Sequence, residues 1–184
     1  MHNRRGAIEL TKGDLDGAEA RFRLALEYQS GMFEAHSNLG LVALARGNLV
    51  EAREHLEAAV ALNENFSQGW LNLGVVYLHL HRDDDAIDAF VTALSIDPGL
   101  IAARRNLGFL HARRGEFAIA RAQLMRLLEL TPADETARGV LAYCELRLGR
   151  VATATTLANQ GDGALVEAIR GALSVRFGAN SDRR

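Results

Sequence analysis

The chain has 184 residues, of which 48% are apolar and 24% are charged, and its formal net charge is −2. This balance argues against nucleic-acid and membrane-surface binding, both of which need an accumulated basic patch, and no apolar run is long enough to cross a membrane. The first residues lack the apolar segment of a secretory signal, and a single cysteine, Cys144, cannot form an intramolecular disulfide. A reducing cytoplasmic location is therefore expected, with a leader removed before Met1 as the open alternative.

A repeat of thirty-four residues organises the sequence. The tripeptide Asn-Leu-Gly occurs at 38–40, 72–74 and 106–108, so its copies are thirty-four residues apart. Five copies of this length follow one another without an insertion, which is typical of stacked supersecondary units. One position is alanine in every copy, namely Ala18, Ala52, Ala86, Ala120 and Ala154. Small residues at such a position let two helices approach closely.

The third copy carries the full signature of a known family. The signature residues are Trp70, Leu73, Gly74, Tyr77, Ala86, Phe90, Ala93 and Pro98. With them, residues 1 to about 158 resemble the tetratricopeptide repeat (TPR) family, whose unit is a helix-turn-helix. The resemblance implies an all-α fold, a right-handed α-solenoid of helix-turn-helix repeats, with a concave groove that holds a partner.

The first copy is irregular at its beginning. Arg5 replaces the usual leucine, so its first helix is predicted to be degenerate, whereas Leu15, Phe22 and Leu26 place an apolar stripe on a normal second helix. If the first helix fails to dock, that stripe stays uncovered. Self-association through the N-terminal end is then expected, because solenoids bury such exposed ends.

The later copies start at residues 33, 67, 101 and 135. Their first helices are predicted near 33–46, 67–80 and 101–114, and their second helices near 49–62, 83–96 and 117–130. Gly47 and Gly115 suit the turns between them, and His81 departs from this pattern. The five copies span residues 1–158. Residues 159–178 are predicted to form a capping helix that covers the last unit, and residues 179–184 a polar tail.

One side of each first helix is predicted to line the groove. It carries a ladder of asparagines, Asn38, Asn72 and Asn106, whose amides can bond the backbone of a peptide of any sequence. Apolar side chains accompany the ladder and would bury those of a ligand: Leu41, Leu44, Val75, Leu78, Phe109, Tyr143 and Leu146. The alternative is that the asparagines only support helix packing.

Three arginines, Arg105, Arg113 and Arg147, fall on groove positions of the later first helices. They predict a ligand with apolar residues at one end and acidic residues at the other, the acidic end lying on copies four and five. The alternative is an arginine face that is simply solvated.

Catalytic and metal-binding groups are not predicted, and neither is a cofactor. His79, His81 and the aspartates at 83–85 suggest a metal site only weakly, since aspartates also suit a helix N-terminus. His36, His55 and His111 are isolated along the sequence, and none belongs to a nucleophile-base set.

These patterns predict a non-enzymatic scaffold or adaptor that binds a peptide or helix of a partner protein. The alternative is that the chain is the repeat segment of a larger enzyme or of a secretion or pilus-type assembly machine.

Overall fold

The computed structural model describes residues 1–161, 167–169 and 171. All regular structure in these residues is helical, which confirms the predicted all-α class. The helices are α1 (His2–Thr11), α2 (Leu15–Tyr28), α3 (Phe33–Ala45), α4 (Leu49–Leu62), α5 (Ser67–His79), α6 (Asp83–Ile96), α7 (Ile101–Arg113), α8 (Phe117–Leu130), α9 (Glu135–Arg147) and α10 (Val151–Asn159).

Two compact units divide the chain, and each contains helix pairs. In unit 1, Met1–Leu100, the pairs are α1 with α2, α3 with α4 and α5 with α6, and each pair packs on the next through its neighbouring helices. In unit 2, Ile101–Arg184, α7 pairs with α8 and α9 with α10, while α8 also packs on α9. We call the odd-numbered helices the first helices and the even-numbered helices the second helices.

Glycine brings the two helices of a pair into close contact. A Cβ atom added to Gly74 would lie 2.6 Å from Cε1 of Phe90, and one added to Gly40 would lie 2.6 Å from Cγ of Leu56. Atoms cannot approach so closely, so a larger residue would separate the helices. The recurrent alanines complete the contact, since Ala18, Ala52, Ala86, Ala120 and Ala154 are all fully buried.

A residue with positive φ ends every first helix. Gly47 has φ +79°, and its N–H donates to Leu44 O at 2.9 Å while the next N–H, that of Asn48, donates to Ala43 O at 2.9 Å. This pair of hydrogen bonds satisfies carbonyl groups that the helix end would leave without partners. Glycine occupies the equivalent position after α1, α7 and α9, but His81 adopts φ +57° after α5.

The first helix of the first pair is formed and docked, although its sequence departs from the repeat pattern at Arg5. Gly6 is buried against Phe22, which is itself fully buried, and Ala7 and Leu10 pack into the same cluster. These residues supply the apolar contact that Arg5, which is exposed, does not. The prediction of self-association through the N-terminal end required that α1 be undocked, and α1 is docked.

The last pair is shorter, because α10 has only nine residues. Most of the predicted capping helix, 159–178, and all of the polar tail, 179–184, lie outside the described residues. Residues 167–169 and 171 are described and helical. Ile169 is buried beside Ala142 and Ala158, so this segment covers part of the last pair.

Candidate functional site

The predicted groove residues of unit 1 lie on α3 and α5. Leu41, Leu44, Val75 and Leu78 are each half-buried, in contrast to the fully packed leucines on the sides of these helices that face the second helices. We call these four residues, with Asn38 and Asn72, the unit 1 face. Apolar groups that keep part of their area in water can bury it against a ligand.

The two asparagines of the unit 1 face have partners within the chain. Asn38 Nδ2 donates to Asn3 Oδ1 at 2.9 Å and so links α3 to α1, while Asn72 Oδ1 accepts from Gln68 Nε2 at 3.1 Å. Each amide has both a donor and an acceptor group, and one of the two is engaged in these bonds. Asn38 therefore supports the packing of α3 on α1, whereas the bond of Asn72 lies within α5; the contact of either with a peptide backbone stays a prediction.

The predicted groove residues of unit 2 lie on α7 and α9, and we call them the unit 2 face: Asn106, Phe109, Arg113, Tyr143, Leu146 and Arg147. Its most defined part is an arginine held by two rings. The guanidinium of Arg147 lies 4.5 Å from the ring centroid of Phe117 and 5.6 Å from that of Tyr143, and it donates to the Tyr143 hydroxyl at 2.6 Å. Arg147 is exposed, so this arrangement orients a cation toward solvent.

Arg105 does not belong to a free basic surface. Its Nε lies 2.9 Å and its Nη2 2.8 Å from Oδ2 of Asp134, which also caps α9 by accepting from the Ala137 N–H at 3.0 Å. Burial by itself would raise the pKa of Asp134, but the Ala137 N–H and the Arg105 guanidinium hold it below its usual value. Arg105 therefore has a structural partner, whereas Arg113 and Arg147 of the unit 2 face are both exposed.

A buried carboxylate in unit 2 was missed at the sequence level. Glu145 on α9 is 1% exposed, and its Oε1 accepts from Nε of Arg121 at 2.6 Å, with Nη1 of Arg150 3.7 Å from Oε2. Glu145 occupies the repeat position of Tyr77 and His111. The same position is Ala43 in the second copy and Glu9 in the first, so an acid at a position that is aromatic or small in the middle copies is the signal that could have revealed it.

Two of the histidines that lie far apart in the sequence meet in the structure. Nδ1 of His36 on α3 lies 3.4 Å from Nδ1 of His55 on α4. Burial, followed by the charge of His36, lowers the pKa of His55. In unit 2 the buried His111 contacts the carboxylate of Glu116, and this hydrogen bond, with the nearby Arg114, lowers the pKa of Glu116.

The remaining reactive groups are inert or exposed. Burial, followed by the charge of Glu145, raises the pKa of Cys144 to about 11, so this buried thiol stays protonated. His79 and His81 are exposed. Within residues 1–161, 167–169 and 171, no three His, Cys, Asp or Glu side chains lie close enough to hold a metal ion. No helix in the same residues is both long and apolar enough to cross a membrane.

Helix pairs that pack closely through glycine and alanine, with a positive-φ residue in the turn of each pair, define an α-helical repeat protein. Two tetratricopeptide repeat family models match residues 31–98 and 105–165, and the chain belongs to this family. No curated protein matches the sequence.

Several solved structures share the fold. A crystal structure of MamA has 21% sequence identity to this chain. The match covers 90% of this chain and 94% of the MamA chain, with a TM-score of 0.77. The pilF protein of Pseudomonas aeruginosa is 20% identical over 98% of this chain and 84% of its own, with a TM-score of 0.82. YrrB, described as a TPR protein with an unusual peptide-binding site, is 18% identical over 97% and 90%, with a TM-score of 0.75. At these identities the likeness concerns the fold alone.

Proposed function

We propose that this protein is a non-enzymatic, cytoplasmic scaffold that binds a peptide or helix of a partner protein through the exposed sides of its first helices. The observation that carries the proposal is the set of four half-buried apolar side chains on α3 and α5, Leu41, Leu44, Val75 and Leu78. Leu44 also packs on the core of unit 1, but each of the four keeps part of its area exposed, and family membership places the protein among interaction scaffolds.

The chemistry of the two faces suggests what each would bind. The unit 1 face offers apolar contacts and the spare amide groups of Asn38 and Asn72, so it suits apolar side chains on a hydrogen-bonding backbone. The unit 2 face offers Arg147, oriented by aromatic rings, so it suits an aspartate or glutamate. Apolar residues of a ligand therefore suit the unit 1 face, and acidic residues suit the unit 2 face.

Selection from a random peptide library tests the proposal with a pair of matched valines. Val75 lies on the unit 1 face, whereas Val91 is 50% exposed on the second helix α6. Peptides selected on the natural protein should lose most of their affinity for Val75→Glu and keep it for Val91→Glu, because only the first change puts a charge into the proposed contact. Selected peptides that bind both variants equally would contradict the proposal.

The basic part of the proposal has its own test. Arg105→Glu would also break the Asp134 pair, so Arg147→Gln and Arg113→Gln are better changes. Affinity for an acidic peptide should fall moderately as salt rises, because exposed charge pairs are screened and apolar contacts are not. The Arg147 variant should weaken binding at low salt and flatten this dependence. If it binds as tightly as the natural protein at low salt, the arginine is only a solvated side chain.

The alternative function is that of a repeat segment in a larger enzyme or in a secretion or pilus-type machine. The likeness to pilF of Pseudomonas aeruginosa, at 20% identity, shows the same fold and assigns no role to this chain. The complete reading frame tests this alternative, because a segment of a larger machine would be continuous with further coding sequence.

A further inference from the structure

A cleft of about 550 Å³ opens between α4, α5 and α6 of unit 1. Its apolar wall includes Val60, Trp70 and Ile96, and Tyr77 lies beside them. Two acidic residues of α4 and the following turn, Glu57 and Glu64, also line it. This volume is that of a typical small-ligand pocket, or of a site for one large side chain of a partner.

Hydrogen bonds fix both aromatic rings. The indole N–H of Trp70 donates to the backbone oxygen of Glu64 at 2.9 Å, and the Tyr77 hydroxyl donates to Oε1 of Glu57 at 3.0 Å. Burial, followed by the hydrogen bond to Glu57, raises the pKa of Tyr77 to about 12, so the phenol stays a donor. The guanidinium of Arg82 lies 4.8 Å from the Tyr77 ring centroid, which shows that this ring already stacks with a cation.

The acidic groups of the cleft can accept further hydrogen bonds from a ligand. The side chain of Glu57 is 45% exposed, and its Oε1 lies 3.5 Å from Nε of Arg53. Glu64 is exposed, and its carboxylate forms no ion pair within the described residues. None of the residues that line the cleft in this structure is basic. The nearest cations, Arg53 beside Glu57 and Arg82 on the Tyr77 ring, lie outside the residues that line the cleft, so Glu64 is the carboxylate that a further cation could neutralise.

The repeat shows which of these residues the fold requires. Trp70 and Tyr77 are family signature residues with a packing role, and Leu73 and Val60 belong to the same core cluster. Glu57 accepts the hydrogen bond of Tyr77, and neither glutamate belongs to that cluster. The positions equivalent to Glu57 and Glu64 hold no acid in the neighbouring copies: they are Arg23 and Ser30, Val91 and Pro98, and Met125 and Pro132. The acidic groups are therefore particular to this junction.

From this arrangement we propose that the cleft binds an arginine side chain carried by an apolar segment of a partner protein. A guanidinium is planar and weakly hydrated, so it can stack on Trp70 while its N–H groups bond to Glu57 and Glu64. The aliphatic stem of the arginine would lie on Val60 and Ile96. This site is separate from the unit 1 face, because it involves both second helices α4 and α6, and the scaffold would then bind two segments at once.

The test compares an arginine peptide with an uncharged analogue of the same shape. The probe is acetyl-Leu-Arg-Leu-amide, and the control replaces arginine by citrulline, which keeps the shape and removes the charge. Trp70 is the only tryptophan of the chain, so its fluorescence and its single indole N–H resonance report on the cleft directly. The arginine peptide should shift the resonance saturably, and the citrulline peptide should do so at least about tenfold more weakly.

Variants separate the cleft from general surface charge. Glu64→Gln and Glu57→Gln keep the side-chain shape, and the amide oxygen that Glu57→Gln introduces can still accept from Tyr77. Both variants should therefore fold, and together they should weaken the arginine peptide about tenfold. Glu54→Gln, an exposed change on the same helix outside the cleft, should leave the affinity unchanged. The proposal is overturned if citrulline and arginine peptides bind equally, if Glu54→Gln weakens binding as much as the cleft variants, or if the indole resonance does not move.

Discussion

His36 and His55 face each other across the α3–α4 pair, with their Nδ1 atoms 3.4 Å apart and their ring centroids 5.6 Å apart. One neutral ring can donate to the other, but two protonated rings would repel each other at this distance. The charged groups around His55 are of both signs: Glu51 and Glu54 raise its pKa, and Arg23 lowers it.

This pair makes the stability of the protein depend on pH. The pKa of His55 is lowered in the folded state from its usual value of 6.5, so the unfolded chain binds the proton more readily. The contribution of His55 to the free energy of unfolding is therefore fully present above about pH 6.5 and is lost as the pH drops toward the folded-state pKa. Urea unfolding midpoints measured from about pH 7.5 to about pH 5 should show this loss for the natural protein and a smaller one for His55→Gln. The exposed control His79→Gln should behave as the natural protein, and an unchanged pH profile in His55→Gln would contradict the argument.

Replacing His81 by glycine should stabilise unit 1. His81 has φ +57° at the position where Gly47 has φ +79°, and a left-handed backbone costs a residue with a Cβ about 1–2 kcal/mol. We expect His81→Gly to raise the free energy of unfolding by up to about 1 kcal/mol, because glycine also gains entropy in the unfolded chain. Gly47→His is the reciprocal change, in open space, and should destabilise by a similar amount. Thermal unfolding of both variants would show opposite shifts of the midpoint, and shifts of the same sign would refute the assignment.

Gly74→Ala should separate α5 from α6. The new Cβ would lie 2.6 Å from Cε1 of the fully buried Phe90, so the ring or the helix has to move, at a cost of about 1–3 kcal/mol. Gly31→Ala is the matched control, because its nearest neighbour, Leu62, is 3.9 Å away. Chemical denaturation should show a clear loss for the first variant and little change for the second. Equal behaviour of the two variants would show that the helix pair tolerates a wider separation.

Removing the Arg121 side chain should lower the free energy of unfolding more than removing the side chain of an arginine at the surface. Arg121→Met leaves the carboxylate of Glu145, which is 1% exposed, with only Arg150 at 3.7 Å, and we expect a loss of about 2 kcal/mol or more. Arg126→Met, whose pair with Glu129 is exposed, should cost about 0–1 kcal/mol. The double change Arg121→Met with Glu145→Leu should recover most of the loss, because no buried charge remains. A double variant as unstable as Arg121→Met would contradict this account.

The helices and their contacts within a pair could be predicted from sequence because the interactions behind them are local or repeated. The apolar stripes, the turn glycines and the alanine in every copy predicted second helices at 49–62, 83–96 and 117–130, and helices occupy those residues. Whether α1 docks could not be predicted from its irregular residue Arg5. Its neighbours Gly6, Ala7 and Leu10 were sufficient to dock the helix on Phe22.

The candidate site was predictable only in its outline. Helical spacing placed Val75 and Leu78 on one side of α5, but it could not show that Asn38 bonds Asn3 or that Arg105 pairs with Asp134. Such pairings join residues about one repeat apart, and they depend on side-chain directions that a one-dimensional pattern does not contain.

The sequence by itself determined the helical repeat, since a period of thirty-four residues and its small side chains recur whatever each copy binds. The tertiary structure decided which charges are neutralised, where the two histidines meet and where Trp70 and Tyr77 adjoin acidic side chains. The physical reason is that electrostatic and aromatic contacts depend on distances of a few ångströms between side chains of different helices, which only the packed helices define.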